Sequence, residues 1–278
     1  MDKTRIDKAQ IEAFVTAFVY SEDNRIPPEL AQSAGLSGMQ MFDEPLIAYG
    51  DAFDMRFSEL RHIPEAQAPL MPPCEWLPSA QTVISCFFPI FSAVCISNRD
   101  GMEPSRAWMH ARIEGNKALF ALARSLCAYI EQGGYECLAP VQDERYFEIS
   151  SNAMDGPLFF TNWSERHVAY LCGLGTFSLS KGLITEKGVA GRLFSVVTSL
   201  ELESTVPQYS GLFDYCINCR ACVGRCPQGA IDEYHLKDDR LCKAKLDKVR
   251  DRNPPYYGCA KCHVGVPCEF ENPSHWKA

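Results

Sequence analysis

The chain has 278 residues, 46% of them hydrophobic, which is globular material sufficient for one large domain and one small one. Its formal net charge of −8 is unevenly placed: residues 211–278 hold eleven Lys and Arg against nine Asp and Glu, so the part before them is strongly acidic. An acidic body excludes a long nucleic acid held by its backbone, though not a single nucleotide. The longest apolar stretch, Val83 to Ile96, is broken by Pro89 and falls short of the ~20 residues that a bilayer demands, so no membrane span is expected.

Ile11, Phe14, Val15, Phe18 and Val19 recur at helical spacing and predict an amphipathic docking helix. Residues 22–80 carry Pro27-Pro28, Pro45, Pro64, Pro69 and Pro72-Pro73, which predict long irregular connections wrapping the core. Thr82 to Phe88 is β-rich and apolar on both faces, as a central strand of a covered sheet should be. A helix is expected from about Ser105, with Leu119, Leu122, Ala123, Leu126, Cys127 and Ile130 along one face and Gly133-Gly134 as its stop. Tyr135 to Pro140 reads as another strand. Ser164 is placed to cap a short helix, Glu165 to Cys172, that ends in Gly173-Leu174-Gly175. Leu183 to Thr185 and Arg192 to Thr198 read as paired strands around the glycine-bearing turn Glu186 to Gly191. This alternation gives an α/β fold of mixed α+β type with a cysteine-rich segment appended near residue 210. Gly173-x-Gly175 closes a helix and lacks a third glycine at the required spacing, so it signals neither flavin nor nicotinamide.

Eight of the 14 cysteines fall between Cys216 and Cys268, and the first four read Cys216-x2-Cys219-x2-Cys222-x3-Cys226-Pro227, the spacing of bacterial ferredoxin-type clusters. A tight loop points three sulfurs at three irons of one cubane. Pro227 turns the chain away, so Cys226 reaches a second cubane. Cys242, Cys259, Cys262 and Cys268 complete two sets with none left over. The assignment is Cys216, Cys219, Cys222 and Cys268 on one [4Fe-4S] cluster, with Cys226, Cys242, Cys259 and Cys262 on the other. Each oxidised cubane with its thiolates carries about −2, which the slightly basic wrapper offsets. Structural zinc is the competing reading of the two Cys-x2-Cys pairs, but it leaves the third cysteine and the cysteine before proline without a purpose. Disulfides are weaker still: residues 1–8 are charged and lack an apolar core, so a reducing cytoplasmic setting is expected. Cys74, Cys86, Cys95, Cys127, Cys137 and Cys172 show no ligand spacing and read as small buried apolar residues.

Leu77 to Ile84, the helix near His110, the stretch Glu165 to Gly175, and Cys226-Pro227-Gln228-Gly229-Ala230-Ile231 occur in an order that resembles the epoxyqueuosine reductases and their relatives, the corrinoid-dependent reductive dehalogenases. The likeness covers roughly residues 77–268. Asn162 to His167 and Gly182 to Gly188 resemble, more closely, a shorter branch of anaerobe proteins with two [4Fe-4S] clusters. The resemblance implies a nitroreductase-like domain of the corrinoid-binding type with an appended ferredoxin-like two-cluster domain. It divides the chain into an N-terminal helix and wrapping segments (1–76), an α/β corrinoid and substrate domain (77–210) and the cluster domain (211–278). It further implies cobalamin held base-off, and no Asp-x-His-x-x-Gly stretch supplies a histidine beneath the cobalt. The implied partners are a low-potential donor of ferredoxin or flavodoxin type and a small-molecule substrate or a corrinoid protein.

Several positions depart from that pattern. Phe159 stands where the family places an acidic proton donor, and the nearest acids, Asp155 and Glu165, are out of register. Ser178-Leu179-Ser180 replaces a Gly-Lys-Asn, with Lys181 displaced by two positions. The last motif is Cys259-x2-Cys262-x5-Cys268 with Pro267 before its final cysteine instead of after it. A different substrate on the same machinery is the resulting expectation.

The pocket candidates are Arg106, Trp108 and His110 on one helix, and Asn162, Glu165, Arg166 and His167 on the other. His110 matches a histidine of the family's pocket helix, although a lone helical histidine is more often a satisfied core or surface residue. Glu165 and His167 are the catalytic candidates, since acid, cation and imidazole adjoin a glycine turn and suit proton delivery; the plainer alternative is a solvated charge cluster at a helix start. His263, inside the second cysteine loop, either tunes a cluster by hydrogen bonding or lies at the surface. The leading reading is a cytoplasmic iron–sulfur oxidoreductase that relays electrons to a corrinoid. Its rivals are a corrinoid-free ferredoxin-like electron carrier and a reductive activator of another corrinoid protein.

Overall fold

The computed structural model describes residues 3–60, 70–150, 159–232, 234 and 236–277. Helix α1 (Lys8–Ala17) forms where the periodicity predicts it. A capping box starts it: the Gln10 amide donates to Asp7 and the Asp7 amide to the Gln10 side chain. Strand β1 (Leu46–Asp51) follows within the stretch expected to be irregular. Pro45, Gly50 and Asp51 hide it from propensity, and its pairing along all six residues with the next strand overrides that local signal.

After α2 (Met55–Glu59) and α3 (Pro73–Trp76) comes β2 (Thr82–Pro89), buried at every position. A short α4 (Ser92–Ser97) leads into α5 (Arg106–Gln132), which Ser105 caps by accepting the Trp108 amide at 3.1 Å. Next are β3 (Cys137–Leu138), the paired β4 (Glu148–Ser150) and β5 (Phe159–Thr161), and α6 (Glu165–Leu171). Then β6 (Gly175–Phe177), β7 (Leu183–Thr185) and β8 (Gly191–Thr198) complete the body.

The central sheet has the order β1-β2-β8-β3, with every neighbour antiparallel. The hairpin expected between Leu183–Thr185 and Arg192–Thr198 does not form. β7 pairs with β6 instead, and β8 pairs along its whole length with β2, because β8 is apolar enough to be covered on both faces. Side chains alternate along β8. Phe194 and Val196 join Ile84, Cys86 and Phe88 of β2 under α1 and α5; Leu193 and Val197 join Val83 and Phe87 under α6. On the α5 side Leu119, Leu126 and Ile130 are almost fully buried, each contributing about 2 kcal/mol of apolar transfer. The fold is therefore mixed α+β, with helices on both faces of one antiparallel sheet.

The cysteine segment begins with α7 (Ala221–Arg225), the hairpin of β9 (Ile231–Asp232) and β10 (Leu236–Lys237), and α8 (Asp239–Arg252), whose N-cap Asp238 accepts from the Arg240 and Leu241 amides. It docks on the loop between α4 and α5. There Lys261 Nζ donates to the Asn98 and Asp100 carbonyls at 2.7 Å each, Arg225 donates to the Arg99 carbonyl, and Arg99 pairs with buried Glu269 at 2.8 Å. A second seam joins it to the β7–β8 connection, where the Val189 amide donates to the Cys268 carbonyl at 2.8 Å. Gly188, at φ +82°, lets that connection pass; a Cβ there would lie 2.3 Å from the Glu269 carbonyl oxygen. Among the described residues no helix is long and apolar enough to cross a membrane.

Candidate functional site

The two Cys-x2-Cys loops are built alike. In Cys219-x2-Cys222 and Cys259-x2-Cys262 the residue after the first cysteine is left-handed, Arg220 at φ 60° and Ala260 at φ 49°, and a helical turn follows each, α7 in one case and Lys261–His263 in the other. A left-handed residue ahead of a helical turn aims successive amide N–H groups inward, the concavity that favours anionic sulfur. The Lys261 amide bonds Cys259, and the Ala230 amide donates to Cys226 Sγ at 3.2 Å.

The thiols perturb one another in two sets. Burial and then Cys216 and Cys219 push Cys222 up to about 11; burial and then Cys222, Cys216 and Cys219 push Cys268 up to about 12. Cys262 is raised by burial and further by Cys259, Cys242 and Cys226; Cys259 by burial, Cys242 and Cys226; Cys242 by burial, with Cys226 contributing. For these five thiols, no sulfur neighbour comes from the other set. The first set lines a cavity with Ser178, Leu179, Ser180, Ile184, Val266 and Pro273. Among the described residues no three His, Cys, Asp or Glu side chains converge tightly enough for a single metal ion.

The second set lies against cations. Lys237 and Arg112 act on Cys242, Lys237 on Cys262, and Lys245 on Cys259, each favouring the thiolate; Cys242 in turn lies near Arg166. Asp239 ties the group together, pairing with Lys181 at 3.0 Å and Lys237 at 3.8 Å, while Arg166 donates to the Lys181 carbonyl at 2.6 Å. His263 completes this cluster. Burial first, then Lys237, Arg166 and Arg192, depress it to about 3, so it is a neutral imidazole at pH 7.

Six residues of the sequence-based pocket are placed as follows. His110 is fully buried and satisfied: Nδ1 bonds Glu114 at 2.8 Å, the Gln32 amide faces Nε2 at 3.4 Å, and its ring meets Tyr256. Trp108 is buried in the core, and Arg106 is exposed, donating to the Gln32 carbonyl. Asn162 is buried and engaged at both ends by the Phe147 amide and the Arg145 carbonyl. Arg166 reaches the cation group, and His167 is bonded through Nδ1 to Ser164 at 2.7 Å. Burial, then Arg166, depress His167 to about 4. Ser164 thus serves the imidazole instead of capping α6 by its side chain.

Glu165 is the one candidate with a built environment for proton chemistry. Burial pushes its carboxyl up to about 7, opposed by the Ser195 hydroxyl, which donates to it at 2.7 Å while accepting Trp163 Nε1–H at 3.0 Å. α5 and α6 cover opposite faces of the sheet, yet Arg112 of α5 and Arg166 of α6 both lie near Cys242. Asp155 lies outside the described residues. Cys74 is exposed, contrary to the expectation that all six non-ligand cysteines are buried; it sits on the short surface helix α3. Sequence reasoning missed Arg112, Arg192 and Lys237. Arg192 carried a readable signal, a charge inside a strand whose neighbours are apolar on both sides.

Residues 212–232, which include Cys216, Cys219, Cys222 and Cys226, match the family model described as a 4Fe-4S binding domain. No curated protein matches the chain. Among solved structures, the catabolic reductive dehalogenase NpRdhA matches 96% of this chain and 38% of its own, at 15% identity and a TM-score of 0.54. A reductive dehalogenase whose structure suggests a mechanism for B12-dependent dehalogenation matches over 82% and 30%, at 16% identity and a TM-score of 0.55. Epoxyqueuosine reductase from Bacillus subtilis matches over 82% and 62%, at 18% identity and a TM-score of 0.47. The chain spans 30% to 38% of the length of the two dehalogenase chains, and over that span it has the reductive dehalogenase fold.

Proposed function

We propose that the chain is an iron–sulfur oxidoreductase in which two [4Fe-4S] clusters, held by Cys216, Cys219, Cys222 and Cys268 and by Cys226, Cys242, Cys259 and Cys262, pass single electrons towards a substrate site beside the second set. The observation that carries this reading is the division of the thiols into two mutually perturbing sets, only one of which faces the cations of the body. A cubane places its own iron and sulfide between the four thiolates, so the sulfurs of a set need not converge as they would on one ion. Loading iron deprotonates thiols that burial holds neutral, which makes assembly favour higher pH.

A corrinoid is the electron acceptor that the dehalogenase fold suggests; when bound, it supplies a low-potential cobalt for reduction of a small organic molecule. Two features of this chain suit it. His110 is spoken for on both ring nitrogens, in keeping with a corrinoid bound without a histidine ligand from that helix. The buried Nε atoms of Arg112 and Arg192 have no hydrogen-bond partner and are free to meet a bound group. In this reading Glu165 supplies the proton, being half protonated near neutral pH, while neutral His167 keeps α6 in place. The donor is a low-potential carrier of ferredoxin or flavodoxin type.

Anaerobic reconstitution with iron and sulfide tests the clusters, and addition of cob(II)alamin tests the acceptor. The reading expects about eight irons per chain and stoichiometric conversion of the cob(II)alamin EPR spectrum to a base-off form. Full iron with an unperturbed cobalamin signal would leave an electron carrier without a corrinoid.

A further inference from the structure

Arg192 is a charged residue at the start of β8, opposite Phe88 in the register with β2 and on the face that packs under α5. Arg112 comes to it from α5. Among the described residues neither guanidinium pairs with a carboxylate: Arg112 lies over the Tyr257 ring, 4.3 Å from its centroid, and the charged groups acting on Arg192 are Arg112 and Tyr257. The Nε of each is buried and has no hydrogen-bond partner, the only two such cationic atoms among the described residues. Two like charges set together and left short of acceptors cost free energy, and a bound anion would recover it.

The surroundings close the place on one side. Gly258 brings the cysteine segment so near that a Cβ would lie 3.3 Å from Trp108 and 3.4 Å from the Arg112 side chain, and its φ of +158° further disfavours one. His263, a third nitrogen-bearing side chain, lies near Arg192.

We propose that Arg112 and Arg192 form an oxyanion-binding site that holds a carboxylate or phosphate group next to the second cysteine set. This deepens the oxidoreductase reading by making the bound molecule an anion. The guanidinium forks give two parallel N–H donors to such a group, and the Tyr257 ring holds one fork in plane. Two sources share the chemistry: an anionic substrate, or the phosphodiester of a corrinoid's nucleotide loop.

The test titrates anaerobically reconstituted protein with inorganic phosphate and with benzoate by calorimetry, with iron content read on the same samples. One saturable site is expected, weakened roughly tenfold or more by Arg192→Gln and by Arg112→Gln and partly restored in Arg192→Lys, at unchanged iron. Cobalamin and cobinamide, which lacks the nucleotide phosphate, separate the sources. Selective loss of cobalamin affinity in Arg192→Gln assigns the site to the corrinoid; weakened benzoate binding with both corrinoids unaffected assigns it to the substrate. Absence of saturable binding, or equal affinity in wild type and both glutamine variants at full iron, overturns the site. Failure to load iron would instead count against the cluster reading.

Discussion

The two cysteine sets share a loop design and differ in surroundings. The first lines a cavity with apolar and hydroxyl side chains and the single cation Arg220, and its member Cys219 is exposed. The second lies inward, with Lys237, Arg112, Lys245 and Arg166 around it. Reduction adds one negative charge to a cubane, and nearby cations stabilise the added charge, so the second cluster should carry the higher potential. In the proposed two-cluster arrangement, electrons arriving at the exposed set would move downhill towards the body, which would give the pair a direction.

The largest expected effect breaks the comparison outright. Cys242→Ser should abolish the second cluster and leave about four irons, whereas Cys268→Ser should abolish the first alone; iron analysis and the EPR of the reduced variants read which signal is lost. If Cys242→Ser keeps the iron of both clusters, the grouping is wrong.

A smaller effect separates the body from the cysteine sets. The Glu165 carboxyl is raised from 4.5 to about 7, so between those values the native state holds a proton that the unfolded chain releases. Stability at this site is therefore full below pH 4.5 and is lost as pH rises through 7, by up to about 3 kcal/mol. Glu165→Gln can still accept the Ser195 hydroxyl and removes the penalty. Its melting temperature should exceed that of the wild type above pH 8 and match it near pH 5, with iron unchanged. His167 runs the opposite way: its folded value near 4 lies below 6.5, so its contribution is present above pH 6.5 and lost as pH falls towards 4.

How much of this was legible depended on whether the signal was local. The eight cysteines and Pro227 announce themselves by spacing, and α5 by its stripe from Leu119 to Ile130, because loop geometry and helical period act over a few residues. β1 was not legible, since Pro45 and Gly50 argue against a strand that only its partner β2 can stabilise. The relation of the two candidate helices is not legible either: α5, which carries His110, and α6, which carries Glu165, cover opposite faces of a sheet held by long-range strand pairing. Arg112 and Arg192 lie 80 positions apart in the chain, and nothing short of the fold joins them.

The smallest effect sharpens the comparison without destroying either set. Lys237 acts on both Cys242 and Cys262 and pairs only loosely with Asp239, at 3.8 Å. Its replacement by alanine removes one cation from the second set and none from the first. At an effective dielectric suited to a partly exposed charge the loss is about 1 kcal/mol per electron, or roughly 50 mV. Redox titration of Lys237→Ala followed by EPR should show the higher-potential cluster falling by that order while the lower one stays fixed. A shift confined to the lower-potential cluster would reverse the assignment of the two sets, and with it the direction of electron flow.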